Sequence, residues 1–137
     1  MKFSVNSLCP CGSEKKYKKC CKIFHDGQNP KNALLLMKSR YSAYAVGNSR
    51  YIINTTHINN KEYTTDKITW EESIKQFMND TDFKSLEIID FTDGFIEAYV
   101  TFKASIDINK NDSSFTEKSK FVKQNDKWFY LSGEFSQ

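Results

Sequence analysis

From residue 33 onward the apolar positions fall at intervals of three and four. Ala33, Leu34, Met37, Tyr41, Tyr44 and Ala45 trace one stripe, because 3.6 residues per turn returns a helix to the same face at those spacings. Asn29 is placed to cap this helix with Pro30 at its first position, where a missing N–H forfeits no hydrogen bond. Gly47 can end it. Residues 51–56 predict a second, shorter helix. Thr69-Trp70-Glu71-Glu72 has the form of a capping box, and Trp70, Ile74, Phe77 and Met78 predict the apolar face of a third. From Phe83 the period changes to two. Ile96, Ala98, Val100, Phe102, Ala104 and Ile106 alternate with Glu97, Tyr99, Thr101, Lys103 and Ser105, the mark of a strand with one face buried. Residues 84–91 pair with it through a turn at Asp93-Gly94. A loop over 109–113 leads to a third strand near 115–123, and Asn125-Asp126 turns the chain into a fourth over 127–132. Helices first and an antiparallel meander after define an α+β domain, with the helices covering one sheet face.

The first 27 residues show neither period. They hold all four cysteines, as Cys9-Pro10-Cys11 and then, after eight residues, Cys20-Cys21. Zinc takes four thiolates at tetrahedral positions about 2.3 Å away. So short a stretch lacks the apolar surface to fold alone, and metal binding supplies what is missing. Pro10 stiffens the first pair, Gly12 turns the chain, and Tyr17 is the one large aromatic available to pack over the site. Two disulfides fit less well. Adjacent Cys20 and Cys21 pair with each other only under strain, and the opening Met-Lys-Phe-Ser-Val-Asn-Ser-Leu has no apolar stretch of signal-peptide length. A redox pair more usually reads C-x-x-C. The expected compartment is the cytoplasm, where thiols stay reduced, and no apolar run reaches membrane-spanning length.

Charge sharpens the division. Six lysines (Lys2, Lys15, Lys16, Lys18, Lys19, Lys22) against Glu14 give residues 1–25 a charge of +5, leaving −2 for the rest of a chain that totals +3. Zinc adds two positive charges and four thiolates remove four, so the loaded segment keeps about +3. With 39% hydrophobic and 15% aromatic residues but only five Gly and two Pro, the remainder can fill a core and is not a disordered tail. The boundaries read as a zinc module over 1–27 and an α+β domain over 28–137.

The cysteine segment resembles the SEC-C motif, the zinc module at the carboxyl terminus of the SecA preprotein translocase. That resemblance rests on Cys9, Cys11, Cys20 and Cys21 with Pro10, Gly12, Ser13, Lys15, Lys16, Tyr17, Lys18 and Lys19 between them. Glu14 departs from it, since glycine is usual there. Arg40-Tyr41-Ser42-Ala43-Tyr44-Ala45, Tyr51-Ile52-Ile53-Asn54-Thr55-Thr56-His57 and Phe121-Val122-Lys123 with Trp128-Phe129-Tyr130 and Gly133 are similar to the YchJ-like family. The resemblance implies a SEC-C motif joined to a nuclear transport factor 2-like (cystatin-like) cone, helices on a curved antiparallel sheet. Longer members add a second SEC-C motif that these 137 residues do not contain, so functions needing two zinc modules in this chain are not expected.

Chemistry in the second domain is sparse. His25 and His57 are the chain's two histidines, the side chains that titrate near neutrality without a large shift. His25 could serve as a metal ligand, but four cysteines already complete a closed site. His57 follows the second helix, where such cones open, and Tyr41, Tyr44, Trp70, Tyr99 and Trp128 are candidate walls of a pocket around it. The preferred reading is that these aromatics fill the core and that His57 bonds a backbone carbonyl. No phosphate loop, nucleophile elbow or carboxylate cluster is present, and no catalytic residue is assigned. Mid-helix Arg40 reads as a structural salt bridge or a helix-end contact.

The leading function is therefore an interaction module. Lys15, Lys16, Lys18 and Lys19 form a docking surface for a protein or ribonucleoprotein, and resemblance to the translocase module implies the ribosome or a secretion-related chaperone. A small-ligand or enzymatic role for the cavity around His57 is the alternative. Direct nucleic-acid binding ranks third, because the cysteine spacing is not that of a retroviral-type knuckle and only Tyr17 interrupts the lysines.

Overall fold

The structure, a computed structural model, describes residues 3–136. Lys2, counted above in the basic charge, lies outside them. A 3-10 turn (Tyr17–Lys19) and α1 (Cys21–His25) complete the cysteine segment. Then come α2 (Ala33–Val46), α3 (Ser49–Asn54) and α4 (Lys67–Asp80), followed by β1 (Thr81–Thr92), β2 (Glu97–Ile108), the two-residue β3 (Asn111–Asp112), β4 (Phe115–Gln124) and β5 (Lys127–Ser136). All pairings are antiparallel in the order β1-β2-β4-β5, with β3 on β2.

Three helices form close to the predicted places, α3 two residues earlier than 51–56 because Asn48 caps it by accepting from the Tyr51 N–H, and two caps differ. Asn32, not Asn29, caps α2, its Oδ1 accepting from the Leu35 N–H at 2.9 Å. Asn32 directly precedes Ala33, while Pro30 is buried in the approach to the helix. Asp66 caps α4, accepting from the Thr69 N–H at 3.2 Å. A carboxylate there meets the positive end of the helix as well as its free N–H groups, and it outcompetes the Thr69 hydroxyl. Thr69 and Glu72 thus fall inside the first turn, and their capping box is not formed. Gly47 ends α2 as expected, in the left-handed region at φ 86°, its N–H and that of Asn48 both closing on the Ala43 carbonyl.

In β2 the alternation is realised: Ala98, Val100, Phe102, Ala104 and Ile106 are buried beneath the helices. Ile96 lies before the strand and is exposed. β5 runs four residues past the predicted end, because Phe135 and Ser136 still find partners at Glu117 and Thr116. The register shifts between Phe83 and Ser85, between Ile88 and Asp90, and opposite Lys120–Phe121, leaving Lys84, Ile89 and Leu131 as extra residues. Such bulges bend a strand and increase its twist. Sheet and helices enclose a cavity of about 1150 Å³ lined from α2, α4, β1, β2, β4 and β5.

Candidate functional site

Short backbone ties shape the cysteine loop. The Cys9 N–H bonds the Lys15 carbonyl at 2.8 Å, Tyr17 N–H bonds Ser7, and Lys18 N–H bonds Val5. Two residues there take positive φ, Gly12 at 85° and Glu14 at 68°. The second is the position where the resemblance expects glycine. An L residue in that region is strained by about 1–2 kcal/mol, against a smaller entropic cost for glycine. Glu14→Gly is accordingly expected to stabilise the loop by about 0.5–1 kcal/mol, read as slower metal loss to a chelator. An unchanged or faster loss would mean that the Glu14 side chain earns its place elsewhere.

The loop brings all four sulfurs within 4.8 Å of one another. A tetrahedral site with metal–sulfur distances of about 2.3 Å has edges of about 3.8 Å, and the Cys11–Cys20 sulfurs stand 3.6 Å apart. None is in a disulfide, and Cys9, Cys11 and Cys21 are buried. Ser13 Oγ lies 3.1 Å from Cys20 Sγ and Ser42 Oγ 3.4 Å from Cys9 Sγ, hydroxyl donors of the kind that orient and stabilise thiolate ligands. Crowded together, the thiols conflict. Cys9 is held far below its ordinary range by hydrogen bonds from Cys11 and Cys21, while Cys21 is pushed far up by its contacts with Cys11 and Cys9. A divalent cation among them removes that conflict by replacing shared protons with shared metal charge. The residues fit a closed four-thiolate metal centre.

Tyr17 is buried against this cluster, together with partly buried Phe3 and Val46. Its hydroxyl donates to His25 Nδ1 at 2.6 Å, and His25 Nε2 donates to the Ser39 carbonyl of α2 at 2.8 Å. Burial lowers the His25 pKa and pushes Tyr17 up to about 12, so both are neutral near pH 7. His25 is therefore a strut from the metal loop to α2, not a ligand. Ser39 Oγ in turn donates to the Leu36 carbonyl and accepts from Tyr51 at 2.7 Å. On the other side of the loop, Lys15, Lys16, Lys18 and Lys19 are all exposed, and none forms an ion pair with a described residue.

Of the predicted pocket residues, Tyr41, Tyr44, Trp70 and His57 line the cavity. Tyr99 does not: it sits at an odd position of β2, on the opposite sheet face, 5.1 Å from Lys118 Nζ across its ring. Trp128 is buried outside the cavity lining. His57 is half-buried at the rim. Its Nε2 donates to Gln124 Oε1 at 2.7 Å and its Nδ1 accepts from the Asn59 N–H at 3.0 Å, a side-chain partner where a carbonyl was expected. Arg40 makes the helix-end contact without a salt bridge. One guanidinium nitrogen, NH1, donates to the Ile52 carbonyl and to Thr55 and Thr56 hydroxyls, and the group stacks 4.6 Å from the Tyr130 ring. Residue reasoning missed Glu117. It is buried in the cavity wall, its Oε2 accepting from Ser119 Oγ at 2.5 Å and Tyr130 OH at 2.9 Å. The available signal was parity, since Glu117 shares the inward register with Ser119 and Phe121.

A four-cysteine loop docked on a helix-covered antiparallel cone defines a SEC-C motif protein with a nuclear transport factor 2-like body. A family model described as the YchJ middle NTF2-like domain matches residues 32–133, and the SEC-C motif model matches residues 6–22. The chain belongs to the YchJ (UPF0225) family. It is 34% identical over 136 residues to a UPF0225 protein of Vibrio parahaemolyticus, covering 96% of this chain and 77% of that one. It is 33% identical over 131 residues to a UPF0225 protein of Serratia proteamaculans, covering 92% and 82%. Among solved structures it is similar to a SEC-C motif containing protein from Psychrobacter arcticus (TM-score 0.79, 25% identity, 97% and 85% covered). It is also similar to RPA3114, a SEC-C motif containing protein from Rhodopseudomonas palustris (TM-score 0.77, 26% identity, 96% and 100% covered).

Proposed function

We propose that this protein is a zinc-locked docking module of the cytoplasm, presenting Lys15, Lys16, Lys18 and Lys19 to an acidic protein or ribonucleoprotein. The observation that carries the reading is four exposed lysines, unpaired among the described residues, on the loop of the four clustered cysteines, against a slightly acidic body. A loop fixed by metal gives up little conformational entropy on docking, so modest charge complementarity becomes affinity. Exposed Leu8 and Ile23 beside the lysines add apolar contact. Resemblance to the translocase module makes the ribosome and an export chaperone the leading partners. No helix of the described residues is long and apolar enough to cross a membrane.

The test is co-sedimentation with ribosomes and capture of the chaperone at rising salt. Binding should weaken across physiological ionic strength, where exposed charges are screened over about 8–10 Å. It should vanish in Cys20→Ser, which unfolds the loop while keeping every lysine. If that variant binds as well as wild type, the lysines are only a solvated face.

A further inference from the structure

We propose that the cavity beneath α2 is a binding site for an uncharged, mainly aromatic molecule that donates one hydrogen bond, through O–H or N–H, to Glu117. This stands apart from the docking reading and uses different residues. Its polar focus is Glu117, not His57, whose two ring nitrogens are already engaged.

Glu117 is 6% exposed and has no basic side chain within ion-pair distance among the described residues. Its Oε2 is saturated by Ser119 and Tyr130, whereas Oε1 accepts from no described residue and stands open to the cavity. A carboxylate this nearly buried costs several kcal/mol unless its lone pairs are met; Oε1 keeps access to the cavity, where water or the donor of a bound molecule meets it. The fold makes room for the carboxylate itself. A side chain at Gly133 would overlap the Glu117 carboxylate and come within 2.8 Å of the Tyr130 hydroxyl, so the strand beside the carboxylate is kept bare. One buried polar atom of the same lining is unmet: the Tyr41 hydroxyl on α2 has no hydrogen-bond partner among the described residues. Tyr44, Phe77, Phe83 and Phe102 supply aromatic walls, and about 1150 Å³ is ample for a small organic molecule.

Charge decides the head group. Arg40 lines the cavity too, stacked on the Tyr130 ring whose hydroxyl reaches Glu117. The wall therefore already holds one positive and one negative charge. A cation drawn to Glu117 is repelled by Arg40 and an anion drawn to Arg40 is repelled by Glu117, so the wall's charges offset each other for an ion and the favoured occupant is neutral.

Four naphthalene probes separate these cases by NMR titration of the full chain: 2-naphthol, 2-methoxynaphthalene, 2-naphthoate and 2-naphthylmethylammonium. 2-Naphthol should bind with shifts at Glu117, Tyr130 and Tyr41, and the methoxy compound, of similar shape but no donor, should bind about 10- to 100-fold more weakly. Glu117→Gln, isosteric and uncharged, and Gly133→Ala, which displaces the carboxylate, should each erase most of that difference. The probe comparison needs no variant to fold. Equal binding of naphthol and methoxynaphthalene, tighter binding of either ion, or no binding of any probe at millimolar concentration would overturn the proposal.

Discussion

Stripping the metal is expected to unfold residues 5–25 and leave the body folded. Protein purified without added zinc should carry about one equivalent of it, as a closed four-thiolate site requires. A strong chelator, or Cys21→Ser, should then abolish amide protection in the loop, because metal binding contributes about 10–16 kcal/mol of apparent folding energy in comparable small zinc peptides. The body should still melt as one unit, since its apolar cluster around Leu36, Ile52, Val100, Ile106 and Phe121 is separate from the one around the cysteines. For the same reason a chain beginning at Gln28 should unfold cooperatively without zinc. It should do so at lower temperature, having lost the His25 bond to Ser39 and the partly buried Phe24 that packs on the main core. A molten or insoluble truncation would make the loop part of the core, and iron in place of zinc would refute the metal assignment.

The second large effect belongs to Arg40. Replacing it with Met keeps most of the packing but removes the donor shared by Ile52, Thr55 and Thr56, and it removes the positive charge from the cavity that holds the Glu117 carboxylate. A hydrogen bond to a charged group contributes about 1.5–3 kcal/mol and a buried acceptor left unmet costs about 1–3 kcal/mol, so the expected loss is about 3 kcal/mol, or about 10 °C in Tm. Arg40→Lys should recover little, because an ammonium cannot stack flat on Tyr130 while reaching the end of α3. Urea unfolding decides it. A loss below about 1 kcal/mol would show that water replaces the guanidinium at low cost.

The cysteine cluster was legible because its chemistry is local: four thiols that could hold a metal ion lie within thirteen residues, and spacing alone bounds what they can do. The β2 strand was legible because one face is buried and the other is not, which writes a period of two into residues 98–106. That same period already placed Tyr99 with Glu97 and Lys103 on the outer face, and grouping it with the pocket aromatics overrode the parity. Glu117 was harder. Its burial depends on a bulge at Leu131 and on the bare Gly133 across the ladder, neither of which is visible from residues near 117. The caps failed for a third reason. Asn29 and Asn32, like Asp66 and Thr69, are rival acceptors a turn apart, and only the packed helix chooses between them.

Helix α2 has no solvent face along much of its length. Ser39 and Ser42 turn to the metal loop, and Arg40, Tyr41 and Tyr44, one or two residues away, turn to the cavity. The cysteine loop and the cavity therefore both lean on one helix. By whatever factor an occupant of the cavity changes the affinity of the cysteines for metal, the metal must change the affinity for that occupant by the same factor and in the same direction, since linkage between binding sites is reciprocal.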